Sequence, residues 1–205
     1  MSIWRASVIF TGLIALWQLL VWVSGVPPYI LPSPWRVAMS FWNHSSLLAR
    51  HTQITALEIL LGIALGTLLG CTSALLLSYS QQARHWLLPV LVASQAIPVF
   101  AIAPLLVLWL SYGIASKIAM ATLIIFFPVT ANFYDGLRHV QRGWLELAQT
   151  MLLTPNRWAI LRHIAVPAAL PALVSGLRVA VAVAPIGAVV GEWVGSSAGL
   201  GYLML

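Results

Sequence analysis

Four carboxylates are all the acid this chain offers for chemistry: Glu58, Asp135, Glu146 and Glu192. General acid–base catalysis needs two titratable groups held together, and no spacing here gathers a cluster from these acids and the five histidines. His44 and His51 stand seven residues apart, and His85, His139 and His163 are isolated, so no metal-ligand pattern emerges. No Gly-x-x-x-x-Gly-Lys-Ser/Thr loop is present to cradle a nucleotide phosphate. Cys71, the one cysteine, sits in an apolar run and reads as a small buried side chain. No catalytic residue, metal or cofactor is therefore assigned. Two of the acids lie inside apolar stretches, where a charge costs about 2.5–3.5 kcal/mol at a membrane-helix centre. Glu58 falls within two turns of the outer end of its stretch and is expected at the interface. Glu192 is deeper, and either faces a pathway or hydrogen-bonds a neighbouring helix.

The elements that hold these residues follow from composition. Hydrophobic residues make up 61% of the 205, and charged residues 7%, against about 25% charged in soluble domains. Fourteen formal charges cannot cover a soluble fold of this size, so lipid is the solvent. Nine of the ten basic residues are arginine, and they fall between apolar stretches. That pattern belongs to membrane topology rather than to nucleic-acid binding. Five segments are long enough to span about 30 Å of hydrocarbon: Ser7–Ser24, Thr52–Ser78, Trp86–Leu110, Lys117–Phe133 and Leu173–Val194. All must be helices, because lipid offers an unpaired backbone amide no partner. The first exceeds the apolar core of a signal peptide and lacks an A-x-A-like site, so it reads as a retained helix.

Charge orients the spans. With the N-terminus inside, inner regions hold seven basic residues (Arg5, Arg84, Arg138, Arg142, Arg157, Arg162 and Arg178) and outer regions three (Arg36, Arg50 and Lys117). Excess Lys and Arg marks the cytoplasmic side. Ser33-Pro34 reads as a cap and first-turn proline opening an amphipathic, aromatic helix over Trp35–Leu48 at the outer interface. Gly62, Gly66 and Gly70 recur every four residues, which puts them on one face and lets a second helix approach. In the third span Ser94, Gln95, Pro98 and Pro104 interrupt the apolar run. Irregular backbone at membrane depth is tolerated where it lines a cavity or is buried in protein, so these residues, with Glu192, are the pathway candidates. Kinked packing is the alternative.

The segment from Gly136 to Pro171 is polar and Arg-rich, yet carries helical apolar periodicity. Trp144, Leu145, Leu147, Ala148, Met151 and Leu152 share one face, with Glu146 and Gln149 on another. Thr154-Pro155 then opens a second short helix carrying Trp158, Ile160, Leu161 and Ile164, which Pro167 and Pro171 are expected to end. An apolar face with no core of its own needs either a partner protein or a lipid surface.

Here the text resembles a family. Glu146-Leu147-Ala148 followed by Ile164-Ala165-Val166-Pro167 is similar to the coupling-loop signature of binding-protein-dependent ABC importer permeases. Gly176-Leu177-Arg178, Gly191-Glu192-Trp193-Val194-Gly195 and Gly199-Leu200-Gly201-Tyr202-Leu203 resemble the branch that imports sulfonates, nitrate, taurine or pyrimidine precursors, as does Leu31-Pro32-Ser33-Pro34. Two departures stand out: Leu152 takes the place of the family's glycine, and the spacing to Pro167 is two residues longer.

The resemblance implies an all-α polytopic bundle of the ABC type I permease kind, in one domain over residues 1–205 of the inner membrane. It implies a cytoplasmic ATP-binding subunit, a periplasmic or extracellular solute-binding protein and a second permease subunit, in a homodimer bathed in lipid. Glu146, Leu147, Ala148, Met151, Ile164 and Pro167 would meet the ATPase, which sits on another chain. The solute would be small and organic, a thiamine pyrimidine precursor or a sulfonate. Such permeases have six spans where five are found here, so a missing last helix after Leu205 is expected. A non-transporting scaffold and a membrane-embedded enzyme are the other classes; the enzyme lacks a cluster of catalytic groups.

Overall fold

The computed structural model describes residues 3–141, 143–144, 146 and 157–205, and among them are helices and no strand. The chain divides into two units, Met1–Arg50 and His51–Leu205.

The first unit holds α1 (Ile3–Ser24) and α2 (Pro34–Asn43). At about 1.5 Å per residue, the 22 residues of α1 are long enough to cross the hydrocarbon core. Phe10, Leu13, Leu20 and Trp22 all point outward and stay exposed, as side chains in lipid do. Gly25, with φ 59°, supplies the left-handed residue that ends the helix. The expected cap on α2 is present: Ser33 Oγ accepts the Arg36 N–H at 3.4 Å, with Pro34 in the first turn. This helix stops at Asn43 rather than Leu48, and Ser45 already opens the next.

The second unit takes in α3 (Ser45–Tyr79) from His51 onward, α4 (Gln81–Ser94), α5 (Val99–Leu110), α6 (Ile114–Arg138), α7 (Arg157–Gly195) and a terminal 3₁₀ turn at Tyr202–Met204. Four described helices (α1, α3, α6, α7) are individually long and apolar enough to cross a membrane, and α4 with α5 makes a fifth bent span. The bend is 103°. Pro98 is its cause: at ψ 129° it caps α5 in an extended conformation, and the residue before a proline is pushed out of the helical region. Pro89 and Pro104, by contrast, lie inside α4 and α5.

Two expectations about helix ends are corrected. Pro167 and Pro171 do not stop a short helix; α7 runs unbroken for 39 residues from Arg157 to Gly195. A π-helical turn at Leu161–Ala165 lies just before Pro167, with the Val166 N–H bonded to the Leu161 carbonyl. The wider turn accommodates the proline ring and its missing donor without breaking the rod. The cap expected at Thr154-Pro155 lies outside the described residues. The fourth span also starts before Lys117, at Ile114, which takes that lysine out of the outer loop and into the bundle.

The core lies where α3, α6 and α7 meet. Ala121, Ile125 and Val129 of α6 are buried against Ala180 and Ala184 of α7, with Ile59 and Ile63 of α3 packed on them. The α3 glycines meet a second helix closely, as their spacing predicted, and that helix is α6. A Cβ on Gly62 would come within 2.5 Å of the Ala121 Cβ, and Gly66 and Gly70 meet Ile125 and Val129 in the same way. From the other side Gly187 and Gly191 of α7 pack on Ala121 and Lys117. Small residues on both neighbours bring α6 close enough to bury polar groups.

Candidate functional site

Successive positions on one α3 face are His51, Thr55, Glu58 and Gly62, spaced four, three and four apart. That face meets α6 and α7 at a buried polar cluster. Glu58 and Glu192 have no exposed surface at all, Thr55 keeps 3% and Lys117 6%. Lys117 Nζ lies 3.3 Å from Glu58 Oε1. Neither Glu58 oxygen has an aligned hydrogen-bond donor, so charge attraction holds this contact. The Glu58 and Glu192 carboxyls also neighbour each other, and among the described residues the ion pair in the cluster is the one between Lys117 and Glu58. Glu58 is thus not at the interface, as its nearness to a helix end suggested. The interface reading failed because it ignored Lys117, which the sequence had placed in a loop.

Glu192 answers the question left open for it with hydrogen bonds. Its Oε1 accepts the Thr55 hydroxyl at 2.6 Å and its Oε2 accepts the Gly201 N–H at 2.5 Å. Thr55 Oγ1 in turn accepts the Leu200 N–H at 2.9 Å, and His51 Nδ1 accepts the Gly199 N–H at 2.9 Å. Three consecutive backbone amides of the Gly-Leu-Gly segment therefore each have a side-chain acceptor. Tyr202 stacks on the His51 ring, with centroids 6.3 Å apart. Gly199 is at φ 119°, and any Cβ there would overlap the Glu192 carboxyl. Glycine is needed both for the backbone and for the room. The sequence reading missed His51, Thr55 and Lys117. The signal was available: three orphan amides in a non-helical stretch need acceptors, and polar residues at helical spacing on α3 can supply them.

The other pathway candidates are not part of this cluster. Ser94 and Gln95 stand at the end of α4, Pro98 at the bend and Pro104 within α5, and all four are exposed. Ser94 Oγ donates to its own helix at the Leu91 carbonyl, 2.7 Å away. Of the expected coupling residues, Glu146 is exposed, Ile164 lies in the π-helical turn and Pro167 follows that turn. Leu147, Ala148 and Met151 fall outside the described residues.

Residues 62–205, from the glycine face of α3 through the Gly-Leu-Gly segment, match the family described as binding-protein-dependent transport system inner membrane component. The chain belongs to that family. It is 60% identical over 193 residues to a probable ABC transporter permease protein of Haemophilus influenzae, covering 94% of this chain and 78% of the relative. It is 42% identical to the formylaminopyrimidine transport permease protein of Halalkalibacterium halodurans, over 96% of this chain and 78% of that one. A riboflavin transport system permease protein of Chloroflexus aurantiacus is 43% identical over 94% of this chain and 72% of its own length. This permease is thus a multi-pass inner-membrane subunit of an ABC importer, a transport component whose family works with an ATP-binding subunit and a substrate-binding protein. In this permease the buried cluster joins α3, α6 and α7 to the Gly-Leu-Gly segment; Lys117, Glu192 and Gly199–Gly201 fall inside the matched region, and His51, Thr55 and Glu58 just before it.

Proposed function

We propose that this permease imports a small nitrogen-heterocyclic solute of the thiamine pyrimidine-precursor class. The observation that carries the reading is the gradient among relatives. Those named for formylaminopyrimidine and riboflavin transport are 42% and 43% identical, whereas those named for aliphatic sulfonates are 33% and 31% and for taurine 27%. The riboflavin relative favours a flavin as the second reading, and sulfonates come third.

Two copies of the permease form the pathway, and a solute-binding protein delivers the cargo from outside. The N-terminus and the Gly136–Pro171 segment lie in the cytoplasm, a reading supported by the arginine asymmetry. There Glu146, with Leu147, Ala148, Met151, Ile164 and Pro167, receives motion from the ATPase. The bend at Ser94–Pro98, with Pro104, borders the route. A bundle with two discrete packings is then biased by ATP binding on the other chain.

The test is binding of a solute panel to the binding protein encoded with this permease, followed by uptake in vesicles holding the assembled importer. A formylaminopyrimidine should bind more tightly than riboflavin, taurine or an alkanesulfonate. Binding of sulfonates alone rejects the proposal.

A further inference from the structure

A cavity of about 240 Å³ opens where α3 ends, α4 begins and α7 starts. Arg84 and Arg157 both line it, together with Tyr79 and Gln81. Its floor is apolar, formed by Leu137, Leu161 and Ala165, each 6–7% exposed. No described acid lines it: Glu58 and Glu192 are in the buried cluster, Asp135 lines a different groove, and Glu146 is exposed elsewhere in the chain. Arg138, the nearest basic neighbour in α6, is engaged over the Tyr134 ring at 5.5 Å. Two guanidinium groups thus border one cavity without a described counter-charge.

We propose that this cavity binds the phosphodiester headgroup of an anionic phospholipid. A guanidinium presents a planar fork that matches phosphate oxygens. Free phosphate shares that chemistry, but the surroundings favour lipid. The cavity sits at the end of a helix long enough to cross the hydrocarbon core, the side of the bilayer where a headgroup site is placed. One aromatic residue of the kind that populates that depth, Tyr79, lines it, and two tryptophans adjoin lining residues in the chain, Trp86 two positions after Arg84 and Trp158 directly after Arg157. Tyr79 meets Trp158 edge-to-face at 6.1 Å, and Trp86 and Trp158 are 73% and 51% exposed. The apolar floor belongs to the same buried cluster as Leu77 and Tyr134, with Leu88 and Leu91 packed on it. Those four residues line a groove of about 200 Å³ between α4 and α6, which offers an acyl chain a place beside the headgroup. Basic pockets between membrane helices are a known solution for such headgroups.

The proposal goes beyond the transport reading and does not need the substrate or the orientation to be right. The full chain is purified and placed in nanodiscs of phosphatidylcholine containing a titrated fraction of phosphatidylglycerol. Lipid retention is then read by native mass spectrometry. Wild type should retain one phosphatidylglycerol per chain in preference to phosphatidylcholine. Losing a charge-assisted contact worth about 1.5–3 kcal/mol weakens retention tenfold or more. Arg84→Gln and Arg157→Gln should each show that loss, and the double variant more. Arg84→Lys with Arg157→Lys should recover part of it, which separates charge from folding. Arg162→Gln, on the same helix but outside the cavity, should match wild type. Unchanged retention in the double Gln variant overturns the proposal, as does an equal loss in Arg162→Gln. Full displacement by millimolar inorganic phosphate makes it a free-anion site instead. Unchanged lipid retention with loss of the ATP-binding subunit assigns the arginines to the protein partner.

Discussion

Lys117→Met should destabilise this permease far more than its position near a helix start suggests. The ammonium lies 3.3 Å from a carboxylate oxygen of Glu58, and neither residue keeps more than 6% of its surface. At an effective dielectric near 20, that separation corresponds to about 5 kcal/mol of attraction. Most of it offsets the cost of burying the two charges. Removing the lysine alone leaves Glu58 buried beside Glu192 without its cation, and breaking a buried pair from one side costs about 3–5 kcal/mol. Removing both members is different, since apolar residues of similar volume replace a buried pair at little net cost. Lys117→Met with Glu58→Leu should therefore regain most of the loss. Glu58→Leu alone should cost less than Lys117→Met, because it also removes one of two neighbouring buried carboxyls. The assay is reversible unfolding of the full chain in mixed micelles, with all four proteins compared as a double-mutant cycle. Lys117→Met within about 1 kcal/mol of wild type, or a double variant equal to the sum of the singles, would refute the reasoning.

Gly199→Ala should lower the melting temperature and free the Gly-Leu-Gly segment to hydrogen exchange, because φ is 119° and a Cβ overlaps the Glu192 carboxyl. Gly113→Ala, where a Cβ meets nothing within 4 Å, should leave both unchanged. Gly62→Val should cost about 1–3 kcal/mol by overpacking against Ala121, measured in the same unfolding assay; a neutral result would mean α3 and α6 separate freely. Glu146→Lys should reduce co-purification of the ATP-binding subunit while the permease still inserts, and normal recovery with wild-type transport would remove the coupling role. A cysteine at Gln141, with Cys71 replaced by alanine, should resist an impermeant thiol reagent in intact cells; labelling from outside reverses the orientation.

The sequence alone was enough for the solvent, the helices and the family. An apolar chain with so few charges has to live in lipid, lipid demands helices, and the Glu146, Gly191-Glu192 and Gly199–Tyr202 motifs carried the resemblance. The face formed by Gly62, Gly66 and Gly70 was legible too, because four-residue spacing fixes a helix side whatever it packs against. What that face packs against was not legible, and the buried cluster depended on it. Glu58, Lys117 and Glu192 are 59 and 75 residues apart in the chain, so no local pattern joins them. Only the close approach of α3, α6 and α7 turns an acid within one helix and a lysine near the start of another into one enclosed pair. Pro167 failed as a stop signal for a related reason. A proline's local preference is to break a helix, but a π-helical turn placed just before it relieves the clash, and only the folded backbone reveals that turn.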